Sequence, residues 1–290
     1  MAEKNFSADV RRHSFKPANK DAESTKYAGL DKEKGVLEAR RVGEEMKIVE
    51  NAPAGSLIFI GGATEAARTV STAELYGEGL AQAYKENSEV LVLTREKIKS
   101  IARDAGGYEK AVDEIAKVVN DNRDKKVVVD FPMFINELSF GRRWGLFEKK
   151  SKSYFNYLMK KYDFDEDKAF AEWVETGGLT DEEGLQGPDP DQVADEYLRG
   201  LEKLEQFARR YAKNRPITIG AVGHRWELDA FIVKLATGRV SSENFKKICD
   251  NKLTAENEGV RLEIKSGEVR VFYRGKDYTR KLKQDAEKKK

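Results

Sequence analysis

A chain of 290 residues and 32.8 kDa can bury one large hydrophobic core or two modest ones. With 53 Lys+Arg against 51 Asp+Glu the charge is near balance, so the composition announces no nucleic-acid or membrane partner. A single cysteine, Cys249, excludes a disulfide framework within the chain, and no apolar run has the form of a signal peptide or transmembrane length, so the expectation is a cytoplasmic protein.

Residues 6–12 read as a short strand running into His13, and 14–30 as a polar loop carrying Pro17 and Gly29. Asp31 can cap the helix that follows, where Ala39, Val42, Met46 and Val49 recur at helical spacing. Residues 57–60, Leu-Ile-Phe-Ile, form a continuous apolar run that suits a strand covered on both faces. A helix over 64–84, with Thr64 as its cap, precedes a third strand over 89–94. Helices over 96–104 and 108–122 break at Gly106 and Gly107, and 127–131 is a fourth buried strand. Residues 132–150 are irregular and too aromatic for an ordinary surface loop; 154–175 read as one helix. Asp189 and Pro190 open the clearest helix, with Val193, Tyr197, Leu201, Leu204, Ala208 and Tyr211 on one stripe. Residues 217–222 are a fifth strand ending at Gly223 and His224, with helices expected over 227–237 and 241–250. Residues 259–264 and 268–273 alternate around Ser266 and Gly267, which predicts a hairpin, and the basic C-terminus reads as a solvated tail.

Strands alternating with helices predict an α/β fold: a doubly wound, mostly parallel sheet with helices on both faces, an inserted helical cap segment and a C-terminal hairpin. One domain is expected over 1–290, with the insertion at about 96–180.

The two histidines, His13 and His224, each close a strand. In an open α/β sheet ligands bind outside the carboxyl ends of the strands. Arg12 and His13 follow the first strand, Arg68 starts the helix after the second, Glu137 follows the fourth and His224 the fifth, so all fall on one edge. Two arginines and two histidines suit a phosphate dianion: guanidinium forks donate paired hydrogen bonds, and a helix N-terminus adds N–H groups. A neutral imidazole can attack phosphorus in line, cationic donors stabilise the equatorial oxygens, and a carboxylic acid can protonate the leaving oxygen. Such chemistry asks for no metal and no cofactor. Taken singly, a strand-end histidine is usually structural and an arginine early in a helix usually a surface charge. The coincidence of both histidines at glycine- or arginine-flanked strand ends favours the functional reading.

Four stretches carry a resemblance: Arg12-His13-Ser14; Leu30 to Val42, reading L-D-K-E-K-G-V-L-E-A-R-R-V; Thr64, Arg68, Thr72 and Ala73; and I-T-I-G-A-V-G-H-R-W-E-L-D-A-F-I-V-K-L-A-T-G over 217–238. In this order they resemble the histidine phosphatase superfamily, of phosphoglycerate-mutase-like fold, over about 8–73 and 189–238. The resemblance implies His13 as nucleophile, with Arg12, Arg68 and His224 binding the phosphoryl group. It implies Glu137, in N-E-L-S-F-G-R-R-W-G, as proton donor. Two positions depart from the pattern: Ser14 stands where the family has glycine, and Arg225 follows the second histidine. Ser14 either donates to phosphate or crowds the loop; Arg225 either extends the anion site or faces solvent. Phe134, Phe140, Trp144 and Phe147 either cover the pocket or pack the insertion. The expected activity is a metal-independent phosphatase acting on a small phosphorylated substrate. The alternatives are a mutase-like phosphotransferase and a non-catalytic phospho-ligand-binding protein of the same fold.

Overall fold

The computed structural model describes residues 6–61, 66–130, 136–138, 144, 153–182, 185–212, 214–265 and 267–281. Its strands are β1 Phe6–Arg12, β2 Leu57–Gly61, β3 Val90–Leu93, β4 Lys126–Asp130, β5 Ile217–Gly223, β6 Gly259–Lys265, β7 Glu268–Tyr273 and β8 Lys276–Lys281. They make one sheet in the order β3-β4-β2-β5-β1-β6-β7-β8. β1 to β5 run parallel, and β6, β7 and β8 are antiparallel. The helices are α1 Lys34–Glu45, α2 Ile48–Asn51, α3 Ala67–Ala83, α4 Arg95–Ala105, α5 Tyr108–Asp121, α6 Tyr154–Lys161, α7 Glu166–Thr176, α8 Pro190–Tyr211, α9 Arg225–Thr237 and α10 Ser242–Cys249.

The continuous apolar runs occupy the sheet's interior, and β2 is buried at every position. Because side chains alternate across a strand, each run feeds two cores. Leu57, Phe59, Val127, Val129, Ile217 and Ile219 pack with α4, α5, α8 and α9 on one face. Ile58, Ile60, Val128 and Val222 pack with α1 and α3 on the other. Each fully buried Leu, Ile, Val or Phe contributes roughly 1.5–3 kcal/mol over its exposed state, so both layers are held by the same strands. This is the doubly wound arrangement expected from the alternation of strands and helices.

Several elements differ from the sequence expectation, beginning with the helix carrying Ala39 to Val49, which ends at Glu45 and gives way to the short α2. The helix over 154–175 is two helices: Asp163 and Phe164 take positive φ of 48° and 62°, and Asp165 then caps α7 by accepting from Lys168 N. The hairpin has a third strand, β8, joined to β7 through Arg274 and Gly275, both at positive φ. β8 reads K-D-Y-T-R-K and lies at the sheet's edge, where charge replaces apolar alternation. α9 begins at Arg225, two residues earlier than expected, with His224 as its N-cap. Within 96–180, β4 sits inside the sheet between β3 and β2, so the stretch is not wholly outside the alternation. Thr64, Phe134, Phe140 and Phe147 lie outside the described residues.

α1 and α3 meet at bare backbone. A Cβ at Gly79 would lie 2.3 Å from Arg40 O and 2.7 Å from Glu44 N, and one at Gly43 would lie 2.7 Å from Tyr76 O. This contact sets the position of α3, whose first turn carries Arg68. Gly79→Ala is expected to destabilise the fold by about 1–3 kcal/mol through overpacking. Thermal unfolding checks it, and an unchanged Tm would show that the helices are not in backbone contact there.

Candidate active site

Register brings the two histidines together. β1 and β5 are neighbours, Arg12 pairs with Gly223, and His13 N donates to Gly223 O at 3.1 Å. One residue further on, His13 stands beside His224, with ring centroids 5.2 Å apart and planes at 71°. The β alternation also separates the two arginines. Arg11 turns back to Asp9, with Nε and Nη2 on its carboxylate at 2.8 and 3.1 Å, whereas Arg12 is buried beneath the pocket. Arg12, His13, Lys16, Arg68, Phe155, Glu166, His224, Arg225 and Trp226 line a cavity of about 240 Å³. The N-termini of α3 and α9 both lie at it, bringing their partial positive charge.

Hydrogen bonds fix the imidazole tautomers. His13 Nδ1 lies 2.7 Å from Ser14 O, which only accepts, so Nδ1 carries the proton. Arg68 Nε donates to His13 Nε2 at 3.1 Å, so that nitrogen presents its lone pair. Arg68 Nη2 lies 3.3 Å from His224 Nδ1, which therefore also accepts, and the His224 proton sits on Nε2. Burial first, then the Arg68 charge, pull the His13 pKa from 6.5 to about 3. The same two causes push His224 well below its ordinary value. Both rings are therefore neutral near pH 7, which an attacking imidazole requires. Arg68 itself has its pKa lowered by desolvation, offset in part by Glu166 and Glu227.

Arg12 is 6% exposed. Its Nη1 donates to Thr254 O at 2.9 Å and its Nη2 pairs with Glu256 at 2.7 Å, while Nε is buried with no partner. A buried guanidinium N–H with no partner among the described residues is costly unless an acceptor meets it. Arg225 joins the same wall: Nε donates to Thr254 O at 3.0 Å and Nη1 to Glu166 at 2.7 Å. Arg225 is half-buried in the cavity lining and does not face open solvent. Ser14 is fully buried; its hydroxyl donates to Gly35 O at 2.8 Å and accepts from Asn257 Nδ2 at 3.0 Å, and its N–H donates to Thr72 Oγ1 at 3.0 Å. Its polar groups are spent on neighbours, so it knots the loop to α1 and α3 and does not face a ligand. The loop packs tightly on the site, since Gly29, at φ 77°, leaves no room for a Cβ, which would lie 2.8 Å from Arg68 N.

Glu137 is placed elsewhere. It lies on a short 3₁₀ turn, Asn136–Leu138, pairs with Lys203 of α8, and is not among the residues that line the cavity. That turn approaches α8 where Gly200 leaves room, because a Cβ there would lie 3.1 Å from Glu137 Cβ. Among the described residues the carboxylate that lines the cavity is Glu166, at the first position of α7. Sequence reading missed it because the break before α7 was hidden inside an apparent single helix. It also missed Thr254, Glu256 and Asn257, which lie between α10 and β6 and carry no motif. Trp144 is buried among Trp173 and Trp226 at 4.8 and 5.1 Å, with its Nε1 on Glu227 at 2.8 Å. It supports the floor of the pocket through Trp226. Among the described residues no group of three or more His, Cys, Asp or Glu is arranged to hold a metal ion, and no helix is long and apolar enough to cross a membrane.

No protein-family model matches the chain, and no curated protein matches it in sequence. Among solved structures it is similar to a mycobacterial glucosyl-3-phosphoglycerate phosphatase, at 13% identity over 90% of this chain and 91% of that one, with TM-score 0.40. It is also similar to a phosphoglycerate mutase from Bacillus anthracis, at 12% identity over 97% and 93%, with TM-score 0.37. A third is an alpha-ribazole phosphatase from Shigella flexneri, at 12% identity over 96% of both chains, with TM-score 0.36. Likeness at these scores carries no conclusion about chemistry.

The buried neutral histidine has a measurable consequence. The folded protein leaves His13 unprotonated down to about pH 3, whereas the unfolded chain takes up that proton near 6.5. The unfolded state then binds more protons between these values, so stability is present above 6.5 and is lost as pH falls through the window. Denaturant unfolding of His13→Gln is expected to show a smaller loss of stability than wild type over that range. Equal losses would show that His13 is not held neutral by the fold.

Proposed function

We propose that the chain is a phosphatase of the histidine phosphatase superfamily that hydrolyses a small phosphate monoester through a phosphohistidine on His13. The observation that carries this reading is Arg68. Its guanidinium is half-buried, and its side-chain partners among the described residues are two neutral imidazoles and no carboxylate. A half-desolvated guanidinium that hydrogen-bonds no carboxylate gains from an arriving anion, and a phosphoryl dianion fits the fork.

In the proposed reaction Arg68, Arg12 Nε and His224 Nε2–H take the phosphoryl oxygens. Arg68 Nε then leaves the lone pair of His13 Nε2 free to attack. The N–P bond forms, the bond from phosphorus to the ester oxygen breaks, and that oxygen takes a proton. Ser14 O, holding Nδ1–H, accommodates the positive charge on the phosphorylated ring. Water next attacks phosphorus, the P–N bond breaks, and inorganic phosphate leaves. The arginines supply the charge stabilisation for both steps.

The proton transfers fall to a carboxyl group. Glu166 already lines the cavity, whereas Glu137 must leave Lys203 to reach it. An alkyl ester needs its leaving oxygen protonated more than an aryl ester does. Comparing Glu166→Gln with Glu137→Gln on the two ester types therefore identifies the donor: its variant loses the alkyl activity selectively.

A second reading, a phospho-ligand-binding protein without turnover, is favoured by the pairing of Glu137 with Lys203. Wild type is expected to hydrolyse a generic aryl phosphate and to yield an acid-labile phosphoenzyme when quenched. His13→Ala is expected to lose both, the rate falling by at least about 10³-fold. Equal rates in the two proteins would overturn the phosphatase reading. Phosphate binding with neither turnover nor phosphoenzyme would support the second one.

A further inference from the structure

Two of the pocket's arginines are held by one peptide carbonyl. Thr254 O accepts from Arg12 Nη1 at 2.9 Å and from Arg225 Nε at 3.0 Å. Thr254 belongs to no helix or strand, so its carbonyl direction is not set by a ladder. Its N–H and hydroxyl both bind Asp229. Thr254 N donates to Asp229 Oδ1 and Oδ2 at 3.0 and 3.2 Å, and Thr254 Oγ1 donates to Oδ1 at 2.7 Å. Both residues are fully buried, at 0% exposure. Asp229 lies on α9, the helix whose N-cap is His224, so the clamp on the loop is rigidly tied to the strand end that carries the second histidine. The Thr254 hydroxyl touches Tyr273 OH at 3.1 Å, which closes the clamp from β7.

We propose that Asp229 is a positioning residue of the anion pocket: by gripping the N–H and hydroxyl of Thr254 it aims that residue's carbonyl, and so fixes the guanidinium planes of Arg12 and Arg225 for a phosphoryl group. The proposal rests on the reading of the cavity as a phosphate site. It reaches past the lining residues to a carboxylate that touches no ligand. A buried aspartate is a costly way to hold a loop, since an apolar contact would serve packing equally well. Its two oxygens instead meet two donors of a single residue, which defines a direction as well as a distance. Burial lifts the Asp229 pKa to about 7, so the carboxylate is best tested above that value.

The sign of one substitution separates positioning from charge. Asp229→Asn removes a negative charge near the pocket, so Coulomb attraction alone would tighten an anion. Positioning predicts the reverse. The test is equilibrium binding of inorganic phosphate at about pH 8, with Tm measured alongside. Asp229→Asn is expected to weaken binding by about tenfold, as loss of a charge-assisted hydrogen bond does. Thr254→Val keeps the shape and loses the hydroxyl, and is expected to weaken binding in the same direction. Thr254→Ser restores the hydroxyl and recovers the affinity that valine loses. Packing alone predicts the opposite order, with valine tolerated and serine impaired. Unchanged or tighter binding in Asp229→Asn, or valine outperforming serine, overturns the proposal and leaves the phosphate site standing. If Asp229→Asn does not fold, the Thr254 pair decides. Failure of wild type to bind phosphate overturns the phosphate site itself, and with it the role given to Asp229.

Discussion

Everything at the strand ends depends on keeping a guanidinium charge beside two imidazoles in a half-dry pocket. Arg68 donates to His13 and to His224, and this contact forces both rings to present a lone pair toward it. Burial then keeps both rings neutral, because protonating either would place a second charge against the first. The arrangement is self-consistent only without protons on those nitrogens. It leaves an imidazole lone pair and a guanidinium with no hydrogen-bonded carboxylate among the described residues on the same cavity wall. A single electrostatic constraint thus supplies two of the requirements for phosphoryl transfer.

The sheet delivers that constraint through register. One hydrogen-bonded pairing, Arg12 with Gly223, aligns the two histidines, although they are more than two hundred residues apart in sequence. A parallel pair slipped by one residue would turn Arg12 away and bring Arg11 in. The apolar identity of β1 and β5 forbids the slip. Phe6, Ala8 and Val10 must enter the core shared with Ile217, Ile219 and Ala221. The stability of that core and the geometry of the site are therefore the same fact. α3 is located by a different device, the glycine-to-backbone crossing with α1, and it brings Arg68 to the meeting point of the histidines.

What could be read in the sequence was whatever repeats at short range. Buried strands show as apolar runs, helix starts show as capping residues, and scarce histidines stand out against 290 residues. These located β1 to β7, the doubly wound layers, and four residues that the structure brings to one cavity: Arg12, His13, Arg68 and His224. Long-range supports had no such mark. Thr254, Glu256, Asn257 and Asp229 act through a carbonyl, a rim carboxylate, an amide and a buried acid, none of which has a local pattern. β8 was hidden because an edge strand carries charge where an inner strand carries valine. Glu166 was hidden because two residues at positive φ break a run whose composition is helical throughout.

The residues between α10 and β6 set how much of the pocket's positive charge is already paired. Arg12 is paired with Glu256 and Arg225 with Glu166 before any ligand arrives, and both share the carbonyl of Thr254. An entering phosphoryl group must compete with those carboxylates, so these two arginines are already neutralised in part. Arg68 is not. On the proposed reading the charge open to a phosphoryl group would come from Arg68 and Lys16 more than from the two arginines already paired with carboxylates. Ser14 fits the same logic. Where the resembling family has glycine, this chain spends the hydroxyl on Gly35 and Asn257. The side chain therefore ties the residues of that stretch to the His13 loop and spends its donor on Gly35 O. The departure from glycine strengthens the scaffold and leaves the charge of the pocket where the arginines set it.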